Sequence, residues 1–153
     1  MGHVRDTFHV DAPIDACWEL ATNPYRLTEW QSGLIETKDI SGPTDRAGAG
    51  YTATFRLAGR KLDGHFEATR VEKPNLLEFK GTSPGGGKVS GSTRFQPASG
   101  GTDVTTDFTI DLPGGFLGDI ADKLFLEKQV ERELKHSNEN FKALCEAKVP
   151  AHA

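Results

Sequence analysis

The stretch 112-LPGGFLGDIADKLFLEKQVERELKHSNENFKALCEAK-148 decides how the rest of the chain is read. Pro113, Gly114 and Gly115 stand before an unbroken run, so the punctuation precedes a helix and does not interrupt it. Phe116, Ile120, Leu124, Leu134, Phe141 and Cys145 then recur on one side of a 3.6-residue period, the pattern of an amphipathic helix. Two registers fit. In one, the covered face runs Ile120, Leu124, Glu127, Glu131, Leu134, Asn138, Phe141 and Cys145. In the other it runs Leu126, Val130, Leu134, Ser137, Phe141 and Leu144, and Glu127 and Glu131 are solvated or paired with Lys123, Lys128 or Lys135. Periodicity leaves both open.

Working back from this helix, the chain reads as strands that need a cover. Tyr51, Ala53, Phe55 and Leu57 alternate with polar residues, as do Leu62, Gly64, Phe66 and Ala68. Leu77 with Phe79, then Val89, Gly91, Thr93 and Phe95, then Val104, Thr106, Phe108 and Ile110 repeat the pattern. A further strand is expected over Leu34 to Ser41, with turns at 58–60, 73–75 and 97–101. Ahead of these lie a strand from His3 to Val10, a short helix opened by Pro13, and a second from Tyr25 to Gln31 with Asn23 as cap and Pro24 at its first position. The expected fold is therefore α+β: a curved seven-stranded antiparallel sheet around one long C-terminal helix, with two short helices between strands 1 and 2. Residues 1–148 form one domain in this reading and 149–153 a tail.

Composition narrows the function. Hydrophobic residues make up 36% and charged residues 26%, the profile of a soluble protein, and cytoplasmic location is the default. A net charge of −4 without any Lys or Arg block argues against nucleic-acid binding. No apolar run is long enough for a membrane span. Cys17 and Cys145 lack metal-ligand spacing and read as small buried hydrophobes, so neither a metal nor a cofactor is expected. The loop Pro84-Gly85-Gly86-Gly87 leads through Lys88 into a strand, not a helix, and so is a hairpin loop and no phosphate cradle. His65, Glu67, Arg94 and Asp107 look catalytic as a set, but each lies opposite in phase to the neighbouring Phe and belongs on the wetted face. Asp6 shares the phase of Val4 and Phe8, at either an inward position or a frayed strand end.

The segment Phe8-His9-Val10-Asp11-Ala12-Pro13-Ile14-Asp15-Ala16-Cys17-Trp18-Glu19-Leu20 resembles the opening of the START-like (SRPBCC) superfamily, closest to its polyketide cyclase/dehydrase-like branch. Thr22-Asn23-Pro24-Tyr25-Arg26-Leu27-Thr28-Glu29-Trp30 is similar to that family's next signature, and Asn140-Phe141-Lys142-Ala143-Leu144-Cys145-Glu146 to its last helix. The resemblance implies a helix-grip fold around a hydrophobic ligand cavity, in members that bind lipids, sterols or polyketides and sometimes catalyse cyclisation or dehydration.

Three functions follow as expectations. The first is binding, transport or sequestration of a hydrophobic small molecule, lipid or polyketide-like, by a monomer or homodimer. Its site would comprise Trp30, Tyr51, Phe55, Leu57, Phe66, Phe79 and Phe95 with Phe108, Ile120, Leu124 and Glu127; Thr93 and Thr106 would supply orienting hydroxyls. The second is a cofactor-independent polyketide cyclase, aromatase or dehydratase moving protons with Glu127 or Tyr51. The third is a protein-interaction module, which requires a broad exposed apolar patch.

Overall fold

The computed structural model describes residues 2–57, 59–83, 86–111 and 123–147, with side chains from residue 127 onward in the last stretch. Its order is β1 (Gly2–Val10), α1 (Ile14–Ala21), a 3-10 helix (Pro24–Glu29), β2 (Leu34–Lys38), β3 (Gly50–Leu57), β4 (Arg60–Glu72), β5 (Leu76–Ser83), β6 (Gly87–Ala98), β7 (Gly101–Asp111) and α2 (Lys123–Ala147). The strands form one antiparallel sheet of seven in the order β1-β7-β6-β5-β4-β3-β2, and α2 lies against its concave side in a helix-grip fold. Phe116, Ile120 and the other expected helical residues before Lys123 lie outside the described residues.

Strand phase falls as the alternation predicts. Tyr51 stands opposite Phe66, Phe66 opposite Gly81, Gly91 opposite Phe108, and Thr93 opposite Thr106, all on the covered face. The other face is a polar lattice: Asp107 meets His3 at 2.5 Å and Arg5 at 3.6 Å, and Lys80 meets Glu67 at 3.6 Å. His65 lies 3.4 Å from the Thr52 hydroxyl, and Arg94 is exposed. The four catalytic-looking residues are thus spread over the wetted face.

Two local expectations are corrected. The second short helix is a 3-10 helix ending at Glu29, closed by Trp30 N–H to Leu27 O at 3.2 Å; Asn23 does cap it, accepting the Tyr25 N–H at 3.1 Å. Strand β2 stops at Lys38, short of the expected Ser41, because Asp39 takes a left-handed φ of 53° that no extended strand accommodates.

The covered side is filled unevenly. At one end of the sheet, α1 sets Cys17, Trp18 and Leu20 on Val10, Phe95 and Val104, with the Trp18 and Phe95 rings edge to face at 5.8 Å. Phe141 and Cys145 of α2 join this cluster. There the sulfurs of Cys17 and Cys145, from opposite ends of the chain, lie 3.5 Å apart as buried free thiols. Contact with Cys17, together with burial, pushes the Cys145 thiol far above its ordinary range. Beyond this plug, the described part of α2 approaches the sheet chiefly along edge strand β1, and its backbone stands off from β3 to β7.

Inward glycines let aromatic rings lie down on the sheet below this gap. A Cβ on Gly81 would come within 2.6 Å of the Phe66 ring, and one on Gly91 within 2.4 Å of the Phe108 ring and 2.5 Å of the Asp107 carbonyl oxygen. The glycines therefore make room for rings, beyond any bending they permit. We expect Gly91→Ala to destabilise the protein by about 1–3 kcal/mol, because overpacking outweighs the unfolded-state entropy gained on losing a glycine. An unchanged urea midpoint would show that the Phe108 ring has room to move aside.

Candidate functional site

Between the sheet and α2 lies a cavity of about 270 Å³. Its floor is Phe55, Phe66, Phe79 and Phe108 with Leu62 and Val89, and its roof is Val130, Leu134 and Phe141 of α2. The rings are locked to one another. Tyr51 stacks on Phe66 at 5.5 Å, Phe55 meets Phe66 edge to face at 5.8 Å, and Phe79 meets Phe108 at 5.2 Å.

Of the residues singled out from sequence, Trp30, Tyr51, Phe55, Leu57 and Phe66 line this space. Phe79, Thr93, Thr106 and Phe108 line it too. Phe95 does not; its phase is inward, but it lies fully buried beneath Trp18 in the packed end. Glu127 is not on the wall either. Its side chain passes beside Gly2 at the start of β1. Val130, Leu134, Ser137 and Phe141 of the second register line the cavity, while Asn138 and Cys145 of the first are buried as well. Glu131 is exposed and pairs with Lys135 at 3.2 Å. Ile120 and the Leu124 side chain lie outside the described residues. Asp6 does point to the covered side, where Asn138 Nδ2 donates to its Oδ2 at 3.1 Å and to Thr106 Oγ1 at 3.0 Å. The Thr106 hydroxyl is therefore already engaged.

The adopted register brings a carboxylate to the wall that sequence reasoning missed: Glu133, three residues after Val130 and four before Ser137. A loop ties it in place. Ser32 Oγ donates to Glu133 Oε2, the Ser32 N–H donates to Ser137 Oγ at 2.8 Å, and Ser137 Oγ donates back to the Glu133 carbonyl at 2.9 Å. Asn140 Nδ2 holds the Trp30 carbonyl at 3.2 Å, and the Arg56 N–H reaches the Gly33 carbonyl at 2.7 Å. Residues 30–33 thus bridge α2 to β3 and close the cavity on the side away from β1. Trp30 Nε1 is buried without a hydrogen-bond partner among the described residues.

Tyr51 brings a phenol to the same wall. Burial pushes it above its ordinary 10.0, against a smaller opposing effect from a hydrogen bond with Gln31. It is therefore a neutral hydroxyl, not a phenolate. Among the described residues no group of three His, Cys, Asp or Glu is arranged to hold a metal, and no helix is long and apolar enough to cross a membrane. The wall can enclose an apolar body and offer it a carboxylate and a few hydroxyls.

A folded-state pKa above the unfolded one means that the native protein keeps a proton which the unfolded chain loses. Stability from Tyr51 is therefore complete below about pH 10 and declines as pH rises beyond it. Alkaline absorbance titration should give the same phenolate signal for wild type and Tyr51→Phe until the chain unfolds. A second reversible ionisation in native wild type would contradict this burial.

No curated protein sequence matches the chain. Among solved structures, the Zhui aromatase/cyclase from Streptomyces superposes with a TM-score of 0.76 at 20% identity, over 99% of this chain and 97% of that one. A protein from Chromobacterium violaceum superposes at 0.74 and 16% identity, over 95% and 97%. A putative protein of the dynemicin biosynthetic locus superposes at 0.67 and 21% identity, where the chain spans 49% of that protein's length. These likenesses are of fold. The family model described as polyketide cyclase / dehydrase and lipid transport matches residues 1–146, and the chain belongs to that family.

Proposed function

We propose that the protein binds an apolar small molecule in the cavity between its sheet and helix α2, to carry or sequester it. One observation carries this reading. The backbone of the described part of α2 stands off from the aromatic floor, so about 270 Å³ of mostly apolar space is kept between them, near the lower end of the roughly 300–1,000 Å³ usual for small-molecule sites. Leaving such space empty forfeits dispersion contacts that a tighter core would make. A ligand recovers them. The family description, which includes lipid transport, agrees with this reading.

A second reading, cyclisation or dehydration of a poly-keto chain, is favoured by Glu133, a carboxylate that α2 brings to the cavity wall beside Val130 and Leu134. Holding a flexible chain in one bend and moving a proton would need no cofactor. On that reading Glu133→Gln reduces turnover of an accepted substrate about 100-fold or more, the usual range for lost acid–base help, and an unchanged rate removes the residue from the mechanism. The interaction-module reading has less behind it. Among the described residues the exposed large hydrophobics are Tyr25 and Ile35, which form no broad patch.

The neutral fluorescent probe N-phenyl-1-naphthylamine tests the binding reading. We expect a saturable rise in its emission with one site per chain, weakened at least about tenfold by Leu134→Trp, which fills the roof with a larger side chain. Equal binding by that variant, with its melting temperature retained, would put the probe elsewhere and defeat the reading.

A further inference from the structure

One corner of the cavity is chemically unlike the rest, and its reading rests on the ligand-binding function proposed above. Of the two oxygens of Glu133, Oε2 accepts from Ser32, and among the described residues nothing donates to Oε1. No Lys, Arg or His pairs with this carboxylate among the described residues either. The neighbouring Ser137 hydroxyl is already occupied. Ser137 Oγ both accepts from the Ser32 N–H and donates to the Glu133 carbonyl.

The backbone beside the carboxylate also carries no side chain to cover it. Gly33 holds a φ of +83°; a Cβ there would approach the Arg56 carbonyl oxygen to 2.9 Å and Glu133 Oε2 to 3.6 Å, so the position is restricted to glycine. At Glu133 the wall thus presents a strong acceptor to which none of the described residues donates, in the same cavity as a stacked aromatic pair, Tyr51 and Phe66.

We infer that this corner selects uncharged ligands whose planar apolar body carries a hydroxyl, and rejects ligands of the same shape that end in a carboxylate. A hydroxyl donates to Oε1 and replaces the water it displaces. A purely apolar ligand strips that water and returns nothing. A carboxylate brings a second negative charge into a space of low dielectric, where like charges repel far more strongly than in water. Glu133 acts here as a specificity-determining residue, fixed by Ser32 and by the turn at Gly33.

Three probes with one bicyclic body separate these cases: 2-naphthol, 2-methylnaphthalene and 2-naphthoate, each competed at neutral pH against N-phenyl-1-naphthylamine. In wild type, 2-naphthol should bind about tenfold or more tighter than 2-methylnaphthalene, the lower end for one hydrogen bond to a charged group, with 2-naphthoate weakest. Glu133→Gln keeps an acceptor and removes the charge, and should admit 2-naphthoate while still holding 2-naphthol. Glu133→Leu should bring 2-naphthol and 2-methylnaphthalene to the same affinity. Because the wild-type ranking decides by itself, a variant that fails to fold does not rescue the idea. Equal affinities, tightest binding of 2-naphthoate, or no displacement by any of the three while the fluorescent probe still binds would each overturn this inference and leave the cavity reading standing. Failure of the fluorescent probe itself would overturn both.

Discussion

One helix cannot cover a seven-stranded sheet, and the rest of the molecule follows from that mismatch. Helix α2 is anchored along edge strand β1 and at its C-terminal end by Phe141 and Cys145. Helix α1 supplies a plug of Cys17, Trp18 and Leu20 that packs the end of the sheet holding Phe95. What remains is a floor of aromatic rings on β3 to β7 from which the described part of α2 stands off. Phe66 and Phe108 lie over Gly81 and Gly91, and an added Cβ at either glycine would collide with the ring. The chain thus spends bulky side chains on flattening the floor, where the same volume standing upright would fill the gap.

The opposite wall depends on polar bonding. Residues 30–33 reach α2 through Ser32 and Trp30 and reach β3 through Gly33, so the roof is fastened on both sides. On the β1 side, Asp6, Thr106 and Asn138 form a buried set of hydrogen bonds. These networks replace the apolar packing that the centre of the helix lacks, and fix its rotation about its own axis. A cavity held open in this way is preorganised, which limits what a ligand must spend on ordering the protein.

The sheet was far more legible than the helix. Strand phase could be read because one face is wet: Asp107 and Glu67 alternate with Phe108 and Phe66, and a period of two permits no intermediate register. Element order and the Asn23 cap were legible for the same local reason. The register of α2 was not, because its inward stripe contains Glu133, Ser137 and Asn138, whose partners Ser32, Asp6 and Thr106 lie more than thirty positions away along the chain or further. Buried polar groups satisfied from a distance look like surface in a periodicity count. Glu127 shares a stripe with the buried Asn138, Phe141 and Cys145, but at its own level the helix turns Val130 to the cavity and leaves Glu127 beside Gly2 at the sheet edge. The signal available was the second register, in which Glu133 lies between Val130 and Ser137 at helical spacing. Phe95 shows the other limit: alternation gives the face of a residue, but only the position of α1 tells whether that part of the face is packed or open.

The central claim is that the space between sheet and helix is where a ligand resides. Intermolecular nuclear Overhauser contacts from bound N-phenyl-1-naphthylamine test it most directly. The account predicts cross-peaks to the ring protons of Phe66 and Phe108 and to the methyl groups of Val130 and Leu134. Cross-peaks confined to Tyr25 and Ile35, the large apolar side chains exposed on the outside, would contradict it.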